Sequence, residues 1–343
     1  MINCVIVMSN YTPTGKQRYL QHSYNSLRIY TIAWTFRTFC AYLYLMKQSV
    51  PVFNIENFND FALQHTIHCD ILSSHLKKYP GLIIPDKPYY FITILFTQGL
   101  GIHEIDFTTH RISRGHISFV APGQVHSWKF TKDIEGIIFL HSKDFYDLNF
   151  THKRVSHFPF FCSIYNTACV KVAQRDLNYF KSLFDLVVSE FHLNTLMSLS
   201  KICSLIDIIY TDATRIYNPQ EEHWEQNGPY LKKFIRLEEL ISKKYKAIKS
   251  PGEYAKLMHI SERHLNRICK STVKQSVGDV IHERIILEAK RLLASGDVAV
   301  SEVAVKLGYD DPAYFSRLFK IKTGFSASEF MKRYRKSFGI RYR

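Results

Sequence analysis

Val303-Ala304-Val305-Lys306-Leu307-Gly308-Tyr309-Asp310-Asp311-Pro312-Ala313-Tyr314-Phe315-Ser316-Arg317-Leu318-Phe319-Lys320 is the stretch on which the reading of this chain turns. A short helix carrying Glu302 and Ala304 runs into a tight turn at Gly308, a residue free to take positive φ. A second helix then starts with Asp310 or Asp311 as its cap and Pro312 in its first turn. Phe315 and Leu318 fall on one face, inward. Ala313, Tyr314, Ser316, Arg317 and Lys320 fall on the other. About fifty positions earlier the pattern occurs once before, as Glu253 and Ala255, a turn at His259-Ile260-Ser261, and Glu262-Arg263-His264-Leu265-Asn266-Arg267-Ile268-Cys269-Lys270. Ser250-Pro251 opens its leading helix as cap and first turn, Ser261 caps its second helix, and Leu265 and Ile268 point inward. Helix, turn and basic second helix is an arrangement that fits the major groove of DNA, and here it is present twice.

Charge follows the repeat. From Pro229 to Arg343 there are 25 Lys and Arg against 12 Asp and Glu, which is +13 of the formal +15 of the 343-residue chain. A dispersed solvated surface would explain a basic protein, but coincidence with the doubled motif points to phosphate contact. The seven cysteines are odd in number, widely spaced and without a C-x-x-C pair, so they indicate neither a disulfide framework nor a zinc site and fit a reducing cytoplasm. Residues 27–45 are apolar and aromatic, yet Arg28 and Arg37 interrupt them before the roughly 18 uncharged residues a spanning helix needs, so no membrane partner is expected. Met46 opens a more ordinary start. Residues 1–45 read as an extension, from a misassigned start codon or a poorly ordered tail.

Residues 46–171 read as a small antiparallel β-domain. Tyr89 to Phe96 is a β-branched and aromatic run, and short strands follow at 101–107, 111–112, 117–120, 127–130 and 137–140. Turn signals separate them at Thr97–Gly99, Thr108-Thr109, Ser113–Gly115, Pro122-Gly123 and Lys132-Asp133. Such a series predicts a barrel or jelly roll, with a ligand cavity and a side-chain-filled core both open. Tyr89, Phe91, His126 and Trp128 are the pocket candidates, for a small-molecule effector. Gly115 to His126 resembles the cupin-like barrel found before the DNA-binding domain of many bacterial regulators. Metal-binding cupins gather several His and a Glu, and here only His126 stands in such a place. No metal and no other cofactor is therefore expected, and His126 is assigned to hydrogen bonding within the fold.

Residues 172–216 change to helical periodicity. Leu177, Phe180, Phe184, Val187, Val188 and Phe191 form one stripe, and Leu196, Leu199, Ile202, Leu205, Ile206 and Ile209 another, with a break near His192–Asn194. The stripes serve packing against the β-domain or a homodimer contact. Residues 217–229, with Pro219, Gly228 and Pro229, read as a linker. The basic segment follows over 230–343, its first helix placing Phe234, Leu237, Leu240 and Ile241 on one face. Between the two motifs, Val277 to Ala294 makes one uninterrupted helix, ended by Ser295-Gly296-Asp297. Its length of about 27 Å suits a rod holding two recognition helices roughly one DNA turn, about 34 Å, apart.

The stretch from Val303 to Ser326 resembles the signature of the AraC/XylS family of bacterial transcription regulators, with Val-Ala for Ile-Ala, Tyr309 for the usual Phe and Ala327 for the usual Pro. The first copy lacks the customary Gly between Lys270 and Ser276. The resemblance implies an α+β multidomain protein: an N-terminal antiparallel cupin-like β-barrel with amphipathic helices, and a C-terminal all-α domain with two helix-turn-helix motifs joined by a long helix. It implies double-stranded DNA as partner, with RNA polymerase and an effector as further ones. It also implies that the first recognition helix makes more of the base contacts. Arg263, Asn266 and Arg267 are assigned to base edges, since Arg pairs with guanine and Asn with adenine through two hydrogen bonds each. His264 lies on the same face, and Ala313, Tyr314 and Arg317 are the second-copy candidates. Lys270, Lys320 and Lys322 are assigned to phosphates. Two other classes stand beside this reading: an architectural protein binding DNA without sequence preference, and a cupin-type enzyme fused to a DNA-binding tail. The enzyme would need a ligand cluster that the cupin-like positions lack.

Overall fold

The computed structural model describes residues 66–79, 87–131, 133–150, 152–217, 222–294 and 298–337. The expectations for residues 1–45, for positions 218–221 of the linker and for the stop at 295–297 lie outside the described residues.

In the N-terminal lobe the strands are β1 (Ile67–Ile71), β2 (Phe91–Gln98), β3 (Leu100–Ile105), β4 (Thr108–Ser113), β5 (His116–Val120), β6 (His126–Phe130), β7 (Glu135–His141) and β8 (Cys169–Lys171). They form a five-stranded sheet, β1-β7-β2-β5-β8, and a three-stranded one, β4-β3-β6, with every pairing antiparallel. Of the two architectures expected, barrel or jelly roll, no closed barrel is present among the described residues: the strands lie in these two sheets. The chain changes sheet at Gly99, Gly115 and Gly123 and once more between β6 and β7, while the β3–β4 hairpin stays within one sheet. At Gly99 (φ +84) a side chain would lie 2.7 Å from the Ile134 Cα, which fixes that corner as glycine. The β3–β4 turn falls at Asp106 and Phe107, two residues before the expected Thr108-Thr109. Both take positive φ, 48° and 69°.

Period-two alternation then assigns two cores. Ile92, Ile94 and Phe96 of β2, with Ile138 and Leu140 of β7, belong to a cluster with Ile105, Ile112 and Trp128 of the smaller sheet. Phe91 and Leu95, with Ile137 and Phe139, belong to a cluster with α4 (Leu177–Leu193) and α5 (Ser198–Tyr217). Three shorter helices precede these: α1 (Leu72–Lys78), α2 (Lys143–Asp147) and α3 (Pro159–Cys162). The stripe residues Phe180, Phe184, Val187, Ile202, Ile206 and Ile209 are buried in that cluster, so internal packing consumes most of both stripes. The helix pair breaks at Asn194, which takes the left-handed conformation (φ 45) as the cap of α4.

In the C-terminal lobe α6 (Glu222–Lys244) begins eight residues before the expected Tyr230. Gly228 and Pro229 therefore lie inside a helix instead of ending a linker. The local cost of a proline inside a helix, about 3 kcal/mol, is offset by tertiary packing, since Phe234, Leu237 and Ile241 further along are anchored in the core. There follow α7 (Pro251–Leu257), α8 (Glu262–Val273), α9 (Val277–Ala294), α10 (Val300–Lys306), α11 (Pro312–Thr323) and α12 (Ala327–Ser337). One apolar cluster joins them, and it includes Ala255, Leu265 and Ile268 from the first motif and Ala304, Phe315 and Leu318 from the second.

The two turns differ in tolerance. Gly308 has φ +77, and a Cβ there would collide with the Lys246 carbonyl oxygen. His259 occupies the corresponding place at φ 54 with its side chain exposed. Gly308→Ala is therefore expected to destabilise the C-terminal lobe by at least about 2 kcal/mol. His259→Gly should change stability little or raise it. Urea unfolding of both variants measures the difference, and equal midpoints would remove the argument.

Candidate nucleic-acid interface

Each motif's second helix starts with a side-chain cap. Ser261 Oγ accepts the His264 amide at 3.2 Å, and Asp311 Oδ1 accepts the Ala313 amide at 2.8 Å. These bonds satisfy amides that would otherwise be left open at the helix start, and fix which residues face outward. At the other end α11 terminates at Gly324 (φ 78), whereas α8 terminates at Lys274 in the same left-handed region (φ 62). Lys274 thus stands where the family resemblance leads one to expect glycine. Ser250 sits before Pro251 as expected, but its side chain makes no capping bond.

The outward residues of α8 are not equivalent to one another. Arg263, Arg267 and Lys270 are exposed, and His264 and Asn266 are half-buried. His264 sits between Lys233 Nζ at 3.3 Å on Nε2 and Arg267 Nη2 at 3.3 Å on Nδ1, with the Tyr230 ring edge-on. Desolvation first, then the two cations, lowers its pKa, so it is neutral at pH 7 and one of its two ring nitrogens is free to accept from a cationic neighbour. Asn266 Oδ1 accepts the amide of Val277, the first residue of α9, at 3.3 Å. Its carbonyl oxygen thereby supports the α8–α9 corner, leaving the amide nitrogen to face outward. Arg263, Asn266, Ser276 and Val277 line one shallow depression beside this corner.

In α11, Ala313, Tyr314, Arg317 and Lys320 are all exposed. Tyr314 packs its ring 5.9 Å from that of Tyr309, and Arg317 lies a loose 3.8 Å from Asp311. Lys322 is different, because its Nζ is bonded to Asp279 Oδ1 at 2.6 Å. Asp279 is held down at about 2 by the Lys322 and Ser276 hydrogen bonds, so the pair is ionised at neutral pH. Lys322 links α11 to α9 and carries less unpaired charge than Lys270 or Lys320.

The four pocket candidates do not converge. Tyr89 is 62% exposed, Phe91 stacks on His141 in the core below α5, and His126 and Trp128 lie with His103 between the sheets. His103 Nε2 and His126 Nδ1 are 3.3 Å apart, a hydrogen bond within the fold. A cleft of about 300 Å³ instead lies between the lobes, lined by residues that include Gln124, Phe160, Glu238, Arg284 and Arg291. None of the four candidates lines it. Sequence reasoning passed over its charged residues. The available signal was Arg291, a charged residue at a core-facing position on α9.

Residues 254–333, which span both motifs, match the helix-turn-helix domain family. Over 85 residues the chain is 38% identical to the HTH-type transcriptional activator Btr of Bacillus subtilis (strain 168), covering 25% of this chain and 16% of Btr. The C-terminal domain is an AraC-type helix-turn-helix domain. This chain covers less than a fifth of Btr's own length. Over 264 residues it is 21% identical to the HTH-type transcriptional activator RhaR of Enterobacter sp. (strain 638), covering 76% of this chain and 91% of RhaR. The C-terminal domain of AraT, a response regulator from Geobacillus stearothermophilus, aligns with 29% of this chain and 82% of its own, at 25% identity and a TM-score of 0.27. Among the described residues of the chain, no helix is long and apolar enough to cross a membrane.

The exposed positions of Arg267 and Lys270 on α8 make two expectations separable. Arg267→Ala is expected to cost about 1–3 kcal/mol on the preferred site and to relax selectivity at one base pair. Lys270→Ala should weaken binding evenly on all sequences and reduce the slope of log K against log salt by about one. Titrations across a salt series, on the preferred site and on random duplex, distinguish the two; an even loss for Arg267→Ala would exclude its base-reading role.

Proposed function

We propose that this chain is a sequence-specific DNA-binding transcription regulator whose N-terminal lobe controls the AraC-type domain. One observation carries the reading: α8 and α11 both present capped, exposed, basic faces while their apolar sides share a single core with α9. On this reading Arg263, His264, Asn266, Arg267, Ala313, Tyr314 and Arg317 face base edges, while Lys270, Lys320 and, less strongly, Lys322 hold phosphates. The two stacked sheets serve as a cupin-like sensor, residues 46–171, extended by the helices of 172–216. The names of the relatives, both activators, favour activation and hence RNA polymerase as a further partner. A homodimer would use the outer face of α4 and α5, where Tyr179, Leu186 and Ile208 stay exposed.

Control by the N-terminal lobe has a physical basis in how the lobes meet. The Asp106 carboxylate, at the tip of the β3–β4 turn, accepts hydrogen bonds from Arg291 at 2.9 and 2.6 Å, and Arg291 also pairs with Glu288. Phe107 beside it packs edge-on to Phe330 and Tyr334 of α12, with ring centroids 5.4 and 5.1 Å away. A second contact joins Ser163 to Glu238 at 3.0 Å and Tyr165 to Gln275 at 3.2 Å. An effector entering the cleft between these contacts meets the Glu238 Oε2 and Arg284 Nε atoms, both buried and without a hydrogen-bond partner. Such groups favour any ligand that completes their bonding.

Competition between genomic fragments and random duplex DNA tests the function itself. A regulator should prefer its selected sites by about a thousandfold or more; equal binding with a steep salt dependence would give the protein to the architectural class. The lobe contact is tested separately by Asp106→Asn, which leaves the buried Arg291 with Glu288 alone. Loss of a buried partner costs up to about 3–5 kcal/mol, so amide exchange along α9 and α12 should accelerate. Unchanged exchange would mean that the turn does not hold the lobes together.

A further inference from the structure

We propose that His68, Asp70 and His75 form a binding site for a divalent first-row transition metal of the zinc class. The placement follows from local structure. His68 and Asp70 are two residues apart on β1, so both point to the face opposite Ile67 and Cys69. Helix α1 begins directly after the strand at Leu72, and its fourth residue, His75, is turned back onto the same face. All three side chains are buried, and one ligand atom from each lies within 4.8 Å of the others.

The distances suit a metal. His68 Nε2 and His75 Nδ1 are 3.3 Å apart. Two nitrogens bound tetrahedrally at about 2.0–2.1 Å stand about 3.3 Å from each other, the separation found here. A hydrogen bond between two histidines has the same length, and the other buried pair, His103 and His126, is also at 3.3 Å. What distinguishes the first pair is its carboxylate: among the described residues only His68, Asp70 and His75 bring three such ligands together. Asp70 is oriented by the Ile71 amide on Oδ1 at 2.8 Å and by Ser74 Oγ on Oδ2 at 3.4 Å. The Tyr79 and Phe191 rings stand against the imidazoles at 5.0 to 6.2 Å, which supplies the apolar shell that strengthens ligation. Two nitrogens and one oxygen with a fourth position for water match zinc better than calcium or magnesium, which prefer oxygen ligands throughout. Among the described residues Lys78 opposes a cation here, its Nζ 3.6 Å from Asp70 Oδ2 on an exposed side chain that can swing away.

This site lies outside the cupin-like positions on which a metal was discounted, and its existence does not depend on the DNA-binding reading. The test uses the full chain, stripped with a chelator and titrated with zinc chloride by calorimetry. One zinc per chain is expected. His75→Gln and Asp70→Asn should each weaken binding by at least about tenfold, and His152→Gln, an exposed histidine elsewhere, should leave it unchanged. Lys78→Ala removes a competing cation from the surface without touching the core and should tighten binding. Cobalt substitution of the unaltered chain should give ligand-field bands without thiolate charge transfer. Absence of stoichiometric zinc binding overturns the proposal, as do equal affinity in His75→Gln and the parent, weaker binding in Lys78→Ala, or a cobalt spectrum with thiolate bands.

Discussion

Helix α9 is buried along both motifs, and the rest of the C-terminal lobe takes its positions from that burial. Val277, Val280, Ile281, Ile285, Ala289 and Leu293 are all in the shared core. Each of the other helices of the lobe, α6 to α8 and α10 to α12, is in contact with it. Neither motif could turn relative to the other without exposing part of that apolar surface, at about 25 cal/mol per Å². The small residues Ala255 and Ala304 let the leading helices approach closely enough for this to work, and both are buried. The shared core thus holds α8 and α11 in a fixed relation to each other.

The same helix carries the connection to the N-terminal lobe. Arg291 lies on α9 with only 5% of its side chain exposed, and its partners Asp106 and Glu288 come from the two lobes. A buried ion pair contributes little net stability, but breaking it leaves an uncompensated charge. That asymmetry makes the contact a specific latch between surfaces and a weak adhesive. Asp106 and Phe107 hold positive φ angles that non-glycine residues seldom adopt. The local cost is offset by the carboxylate's bonds to Val125, Gln124 and Arg291 and by the ring's packing on α12. Movement of this one turn would thus reach the helix on which both motifs depend.

Much of the candidate interface was legible because its signals are local. Caps at Ser261 and Asp311, the inward Leu265 and Phe315, and the span Val277–Ala294 follow from short-range rules of helix starts, periodicity and stops. The positions of β2 to β7 were legible for the same reason, within a few residues, whereas β1 and β8, the two edge strands of the larger sheet, were not. The barrel was not, since closure depends on which strands pair at long range, and the glycine corners send successive strands into two separate ladders. The start of α6 was misplaced because Gly228 and Pro229 are strong local breakers, outweighed here by anchoring further along the helix. The proximity of His68, Asp70 and His75 was not legible, because a strand and the helix after it bring them together and their spacing is not that of the metal-binding cupin-like barrel.

The sequence alone determined the doubled motif, its basic outer faces, the connecting rod and the amphipathic pair α4–α5, because each is written in residues only a few positions apart. Tertiary structure alone decided that Asn266 braces the α8–α9 corner, that Lys322 is tied to Asp279, that Asp106 meets Arg291 across 185 positions, and that the four pocket candidates do not share a cavity. These depend on where side chains from distant elements arrive, and no periodicity in the chain encodes a distance in space.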